Sequence, residues 1–161
     1  MNIFSLATPT GRAPVLAVTK NGSTRMLTQS ISIARHFANE FNLTGSNCYE
    51  SQMCDEVIDC INDLINLHIV ILLEPDRERR KKLETCLAND EIPRLLGFLN
   101  RKLATNGGDF IVGSRRTWAD FGVAAYIRWF KVNNSGLCEI ETEYPELGAL
   151  ARLLDQLENI H

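Results

Sequence analysis

The sequence has no excess of positive charge. Lys and Arg number 17 against 20 Asp and Glu, so the formal net charge is −3. Nucleic-acid wrapping and binding to anionic membranes both draw on a dense basic surface, and this balance argues against them. A bilayer span is lacking as well, since it takes about 20 apolar residues. The longest apolar stretch, Ile65 to Leu73, is interrupted by Asn66 and His68. The opening residues, Met1-Asn2-Ile3-Phe4-Ser5-Leu6, carry no basic leader, and their apolar run is short for a secretory signal. Neither end carries a lipidation motif. There is no C-x-x-C pair among the five cysteines, Cys48, Cys54, Cys60, Cys86 and Cys138. An odd count without paired spacing favours free thiols in a reducing cytoplasm over a disulfide framework. Cys48, Cys54, Cys60 and His68 do not match zinc-ligand spacing, and buried small side chains account for the cysteines better. Internal repeats and low-complexity segments are absent too.

What remains is an ordinary globular composition: 161 residues, 45% hydrophobic and 23% charged. That length makes one large domain or two small ones, and folding buries roughly 70% of the unfolded surface. Two parts can be read. In the first, Thr8-Pro9-Thr10-Gly11 is a turn, and Val15 to Thr19 reads as a strand. Asn21-Gly22 is a hairpin signal, because both central residues of a type I′ turn need positive φ. Arg25 to Thr28 is the return strand. Ser30 to Phe41 follows as a helix with Ile31, Ala34, Phe37, Ala38 and Phe41 on one face.

The second part is helical. Tyr49 to Leu73 carries Met53, Val57, Ile61, Leu64, Leu67 and Ile71 at three- and four-residue spacing. Pro75 breaks it. Arg77 to Thr105 has a basic, exposed first half and an apolar second half, with Pro93 expected to kink or split it. Thr117-Trp118-Ala119-Asp120 opens the next helix, which runs to about Val132: the threonine oxygen accepts from free N–H groups and the aspartate reaches back. A last helix starts at Tyr144-Pro145 and buries Leu147, Leu150, Leu153, Leu154 and Leu157.

Few residues announce chemistry singly. Gln29-Ser30 stands where a strand delivers the chain into a helix, a place where unpaired N–H groups favour an anion. A plain N-cap serine looks the same. Pro14 opens a strand. A cis bond there would turn the Ala13 backbone outward for an extended ligand, whereas a trans proline would simply start the strand. Asp59 and Asp63 share a helix face, as a solvated acidic stripe would. His36 and His68 are helix-face residues with no nearby nucleophile, so no triad is assigned. Trp118 and Trp129 read as packing residues, and Arg77 to Lys82 as a solvated basic face.

As an ordered set, these pieces resemble a known family. Gly11-Arg12-Ala13-Pro14-Val15-Leu16, then the hairpin, then Gln29-Ser30-Ile31-Ser32-Ile33-Ala34-Arg35-His36-Phe37 is similar to the glutathione-binding stretch of glutathione transferases, sigma class in particular. Thr117-Trp118-Ala119-Asp120-Phe121 resembles the cap of that family's central helix, and Tyr144-Pro145-Glu146-Leu147 its late helices. The resemblance implies an α+β, mostly α chain. Residues 1–44 would be a truncated thioredoxin-like domain, a hairpin plus a helix, and residues 45–161 an all-helical domain. It further implies that Ala13, ahead of a cis Pro14, pairs with the cysteinyl backbone of glutathione. Gln29 and Ser30 would hold the γ-glutamyl end, and Arg12 would reach the tripeptide. Asp63 would cross a homodimer to the partner's ligand. No metal is implied.

Against that family pattern, a strand–helix–strand segment ahead of Pro14 is missing, and with it the tyrosine that hydrogen-bonds the thiolate. The tyrosines here are Tyr49, Tyr126 and Tyr144, none at that position, and Ser5 has no claim to the role. The Val15 strand then becomes an open edge, to be covered by the helical part or by another chain, and one face of the following helix loses cover. Two functions are therefore expected in competition. One is conjugation of glutathione to small hydrophobic electrophiles, whole or weakened. The other is a noncatalytic binding, structural or docking role. No catalytic residue is assigned.

Overall fold

The hairpin forms where turn chemistry places it. The computed structural model describes residues 8–133 and 139–158. Asn21 and Gly22 stand at φ 52° and 75°, the left-handed geometry a tight two-residue turn requires. Strand β1 (Val15–Lys20) pairs antiparallel with β2 (Ser23–Thr28), Lys20 opposite Ser23 and Val15 opposite Thr28. The return strand thus starts at Ser23, ahead of the expected Arg25. Thr19 and Thr24, opposite one another, join their hydroxyls at 2.9 Å. Among the described residues this two-stranded sheet is the only one.

Helix α1 (Ser30–Glu40) follows directly. The expected apolar face forms but is barely covered. Ala38 is the only fully buried side chain among residues 8–44. Phe37 and Phe41 stack with ring centroids 6.4 Å apart, yet remain 43% and 68% exposed. A two-stranded ribbon offers too little surface to bury a helix face. The chain divides after Thr44 into two compact units, and this hairpin and helix make up the first.

The second unit holds the core. Helix α2 (Cys48–Leu73) begins with a reciprocal cap: the Asn47 side chain accepts from the Glu50 amide at 2.9 Å, and the Glu50 carboxylate accepts from the Ser46 amide at 2.6 Å. Helix α3 (Arg77–Cys86) is capped by Asp76, which accepts from the Arg79 amide at 2.7 Å, and buries no side chain. A single π-helical turn, Leu87–Glu91, then leads into α4 (Ile92–Thr105). Pro93, in the first turn of α4, has no N–H to give to the preceding turn, and the widened turn absorbs the mismatch. The expected split therefore occurs just before the proline. Helix α5 (Trp118–Asn133) is followed by α6 (Ile140–Glu143), a short helix not expected from the sequence, and by α7 (Pro145–Glu158). Leu64, Leu99, Leu103, Ile127, Phe130 and Leu147 pack at the centre. No helix among the described residues is long and apolar enough to cross a membrane.

Several expected core positions change. The buried stripe of α2 runs through Cys54, Val57, Ile58, Ile61, Leu64 and His68, so Met53, Leu67 and Ile71 are only half-buried flanks. The period of 3.6 residues walks the stripe sideways along so long a helix. Leu153 is exposed where burial was expected, and the Leu157 side chain lies outside the described residues. Cys54 is buried, but Cys48 and Cys86 are exposed, because they sit at helix ends away from the core. Cys138 and Ser5 lie outside the described residues.

Asp120 ties the entry of α5. Fully buried, its carboxylate accepts from the amides of Ile111 at 2.8 Å and Thr117 at 2.7 Å, and from the Thr117 hydroxyl at 2.9 Å. The aspartate reaches back as expected. The threonine hydroxyl does the opposite of what was expected, donating to Asp120 rather than accepting from the helix. Burial pushes the Asp120 carboxyl above its ordinary value, against the pull of these donors.

Candidate functional site

The hairpin register decides what meets in the first unit. Because Val15 lies opposite Thr28, the residues just beyond each strand, Pro14 and Gln29, come to the same end of the ribbon. The Ala13–Pro14 bond is cis. Arg12, Ala13 and Pro14 are all exposed there, after a turn closed by the Gly11 amide on the Thr8 carbonyl at 3.2 Å. The two halves of the sequence motif, separated by the whole hairpin, thus stand at one edge.

Gln29 itself is held in an unusual conformation, φ 72° and ψ 121°. A side chain in that region costs on the order of 1–3 kcal/mol, and such residues collect at ligand-binding corners. Its effect here is to turn the chain sharply from β2 into α1. Ser30 is then the first helical residue rather than the N-cap, which corrects the plain-cap reading. The N-cap is Gln29, and its side chain makes no capping hydrogen bond. No acidic residue occupies the first turn either. The leading amides of α1 are therefore unanswered by the helix's own side chains, beside the exposed Ser30 hydroxyl. An end of this kind attracts a carboxylate through its aligned N–H groups and partial positive charge.

Asp63 belongs to the other unit. It lies on the exposed face of α2 with Asp59, one turn away. Among the described residues no group of three or more His, Cys, Asp or Glu is placed to hold a metal ion.

The helical unit contains features the sequence reading did not assign. Helices α2 and α5 run in the same direction. Gly122 lets them approach, since a Cβ there would meet the Ile58 Cδ1 at 2.4 Å. Further along, His68 is buried, with Nε2 3.1 Å from the Tyr126 hydroxyl, its ring edge-on to Trp129 at 4.9 Å and to Phe130 at 5.9 Å. Burial lowers the His68 pKa. Beside this pair lies an exposed apolar flank: Ile65, Ile69 and Leu72 of α2, and Trp129 and Val132 of α5. Ile65, Ile69 and Leu72 fall in the longest apolar stretch of the sequence, outside the stripe expected to be buried. No sequence signal marked the His68–Tyr126 pair, whose members are 58 residues apart.

Comparison with known proteins places this architecture. The family model for the glutathione S-transferase C-terminal domain matches residues 62–161. A glutathione S-transferase of Anopheles gambiae is 29% identical over 155 residues, covering 94% of this chain and 71% of the relative. Glutathione S-transferase S1 of Drosophila melanogaster is 30% identical over 155 residues, and the chain spans 58% of its length. The solved structure of prostaglandin synthase D of Nilaparvata lugens superposes with a TM-score of 0.81 at 28% identity, over 96% of this chain and 73% of that one. Against these, the hairpin and α1 are part of a thioredoxin-like domain, and the second unit is the helical domain that follows it. With a family-model match over most of the helical unit and relatives covering nearly all of the sequence, the chain belongs to the glutathione S-transferase family.

Proposed function

We propose that the chain binds glutathione at the Gln29–Ser30 corner and conjugates it, weakly, to small hydrophobic electrophiles. The corner carries this reading: a strained residue delivers a strand into a helix whose N-cap side chain makes no capping hydrogen bond. In the proposal those amides and the Ser30 hydroxyl hold the γ-glutamyl carboxylate. Gln29 orients that end, and the Ala13 backbone beside cis Pro14 pairs with the cysteinyl unit. Arg12 neutralises the tripeptide's negative charge, and Asp63 meets the γ-glutamyl amine of a ligand in the partner of a homodimer. The exposed apolar flank of α2 and α5 supports an apolar second substrate. The sulfur attacks as the thiolate, forming a carbon–sulfur bond as the electrophile's leaving group departs. The exposed cysteines, Cys48 and Cys86, suit a reducing cytoplasm.

Turnover is weak in this reading because residues 1–44 contain no tyrosine to donate to the thiolate. All three tyrosines belong to the helical unit, where Tyr126 is engaged with His68 and Tyr144 is buried. A donor aimed at developing charge contributes about 3–4 kcal/mol to such a step. The same observation favours a second reading, a noncatalytic glutathione-binding or docking protein.

Titration calorimetry with glutathione, paired with an aryl-halide conjugation assay, tests both. Loss of a hydrogen bond to a charged group predicts that Ser30→Ala weakens binding roughly ten- to a hundredfold. Turnover above the free-thiolate background, lost in Ser30→Ala, selects the enzyme. Binding with background turnover selects the second reading. No heat and no thermal shift with the unmodified chain would overturn glutathione binding at this corner and leave only the structural or docking form of the second reading.

A further inference from the structure

The chain contains two Asn-Gly pairs, and the structure holds them in opposite ways. Asn106, at the end of α4, donates through Nδ2 to the carbonyls of Phe110 and Gly113, both at 2.7 Å. The following amide, on Gly107, donates to the Ala104 carbonyl at 3.2 Å. Both reacting groups of that pair, the side-chain carboxamide and the next backbone nitrogen, are thus engaged. Asn21 differs at each point. It sits at the tip of the hairpin, exposed, and no hydrogen bond among the described residues holds its carboxamide. Gly22 is exposed too, and its amide makes no turn or loop hydrogen bond.

We propose that Asn21 is a site of spontaneous, irreversible deamidation in the folded protein, and that Asn106 is protected. The Gly22 backbone nitrogen attacks Asn21 Cγ. The new N–Cγ bond forms, the Cγ–Nδ2 bond breaks, and ammonia leaves carrying the amide proton. Water then opens the cyclic imide. Cleavage at Cγ gives aspartate, and cleavage at the main-chain carbonyl gives isoaspartate. Either product places a negative charge at the tip, next to Lys20. Isoaspartate also lengthens the backbone by one methylene where Lys20 pairs with Ser23, so the closing pair of the ladder is lost. Cyclisation needs the turn to open, and the small hairpin unit, with one buried side chain among residues 8–44, opens at low energy.

The test is a time course of the full chain at mildly alkaline pH and physiological temperature. Peptide mass spectrometry, with fragmentation that separates aspartate from isoaspartate, reads each Asn-Gly pair. A parallel sample in concentrated urea gives the unfolded rates. In urea both pairs convert at similar rates, because each asparagine precedes glycine. In the folded chain Asn21 converts at least tenfold faster than Asn106. Equal folded rates, or a folded Asn21 as inert as Asn106, would overturn the proposal. Hydrogen exchange on the aged sample gives a second reading: amides near Lys20 and Ser23 lose protection in the isoaspartate fraction, and unchanged protection there contradicts the predicted loss of the closing pair.

Discussion

A single buried carboxylate secures the entry to α5. Asp120 accepts three hydrogen bonds from Ile111 and Thr117. Asp120→Ala leaves those donors buried and unpaired, so it lowers stability by about 2–4 kcal/mol. A urea midpoint that moves by less than a quarter of this would refute the assignment. The Thr-x-x-Asp spacing made half of this arrangement legible. The Ile111 partner was not, because nothing local says which loop amide folds back onto a carboxylate nine residues away. Gln29 was legible as a site but not as a strained residue, since glutamine gives no hint of positive φ. Gln29→Gly, which tolerates φ 72°, leaves stability unchanged or raises it by about 1 kcal/mol. If the proposed site is right, it also weakens glutathione binding, because the orienting side chain and the fixed turn are both lost. Melting curves that drop sharply for this variant would show that the turn is not strained.

Between helices, the α2–α5 seam sets two expectations. His68 is buried as the neutral ring, with its pKa lowered from the usual 6.5 by desolvation. The groups facing it from α5 are Tyr126, Trp129 and Phe130, none of them acidic. Below pH 6.5 the unfolded chain takes up a proton that the folded chain resists. The stability contribution is therefore complete above that value and declines as pH falls through the window below it. His68→Phe abolishes this part of the pH dependence. Identical pH profiles of the urea midpoint for the two proteins would count against it. Gly122→Ala gains about 1 kcal/mol of helix propensity, but its methyl meets Ile58 Cδ1. Ile58→Val removes that carbon, so a double-mutant cycle over the two sites shows favourable coupling of about 0.5–1 kcal/mol. Zero coupling would mean that the helices do not meet there. The periodicity of α2 foretold a buried stripe. It missed the drift from Met53 and Leu67 to Cys54 and His68, which depends on how α2 crosses its neighbours. The split at Pro93 was readable because a missing N–H is a local fact. Helix α6 was not, because four residues carry no periodicity.

At the scale of the molecule, burial is unevenly shared. Leu64, Leu99, Ile127 and Phe130 sit in the helical unit, while Ala38 alone is fully buried among residues 8–44. Native-state hydrogen exchange should therefore find β1 and β2 opening with far lower free energy than α4 and α5. Equal protection in the two units would mean that the hairpin has cover not described above. That imbalance was foreseeable from the sequence, because one hairpin and one helix supply few apolar faces to each other. The ladder has one practical outcome. Its six residue pairs hold the Lys20 end about 20 Å from the Gln29 corner, at the rise of an antiparallel strand. A tether fixed through Lys20 would anchor the protein to a sensor surface with its proposed ligand corner turned away from the support.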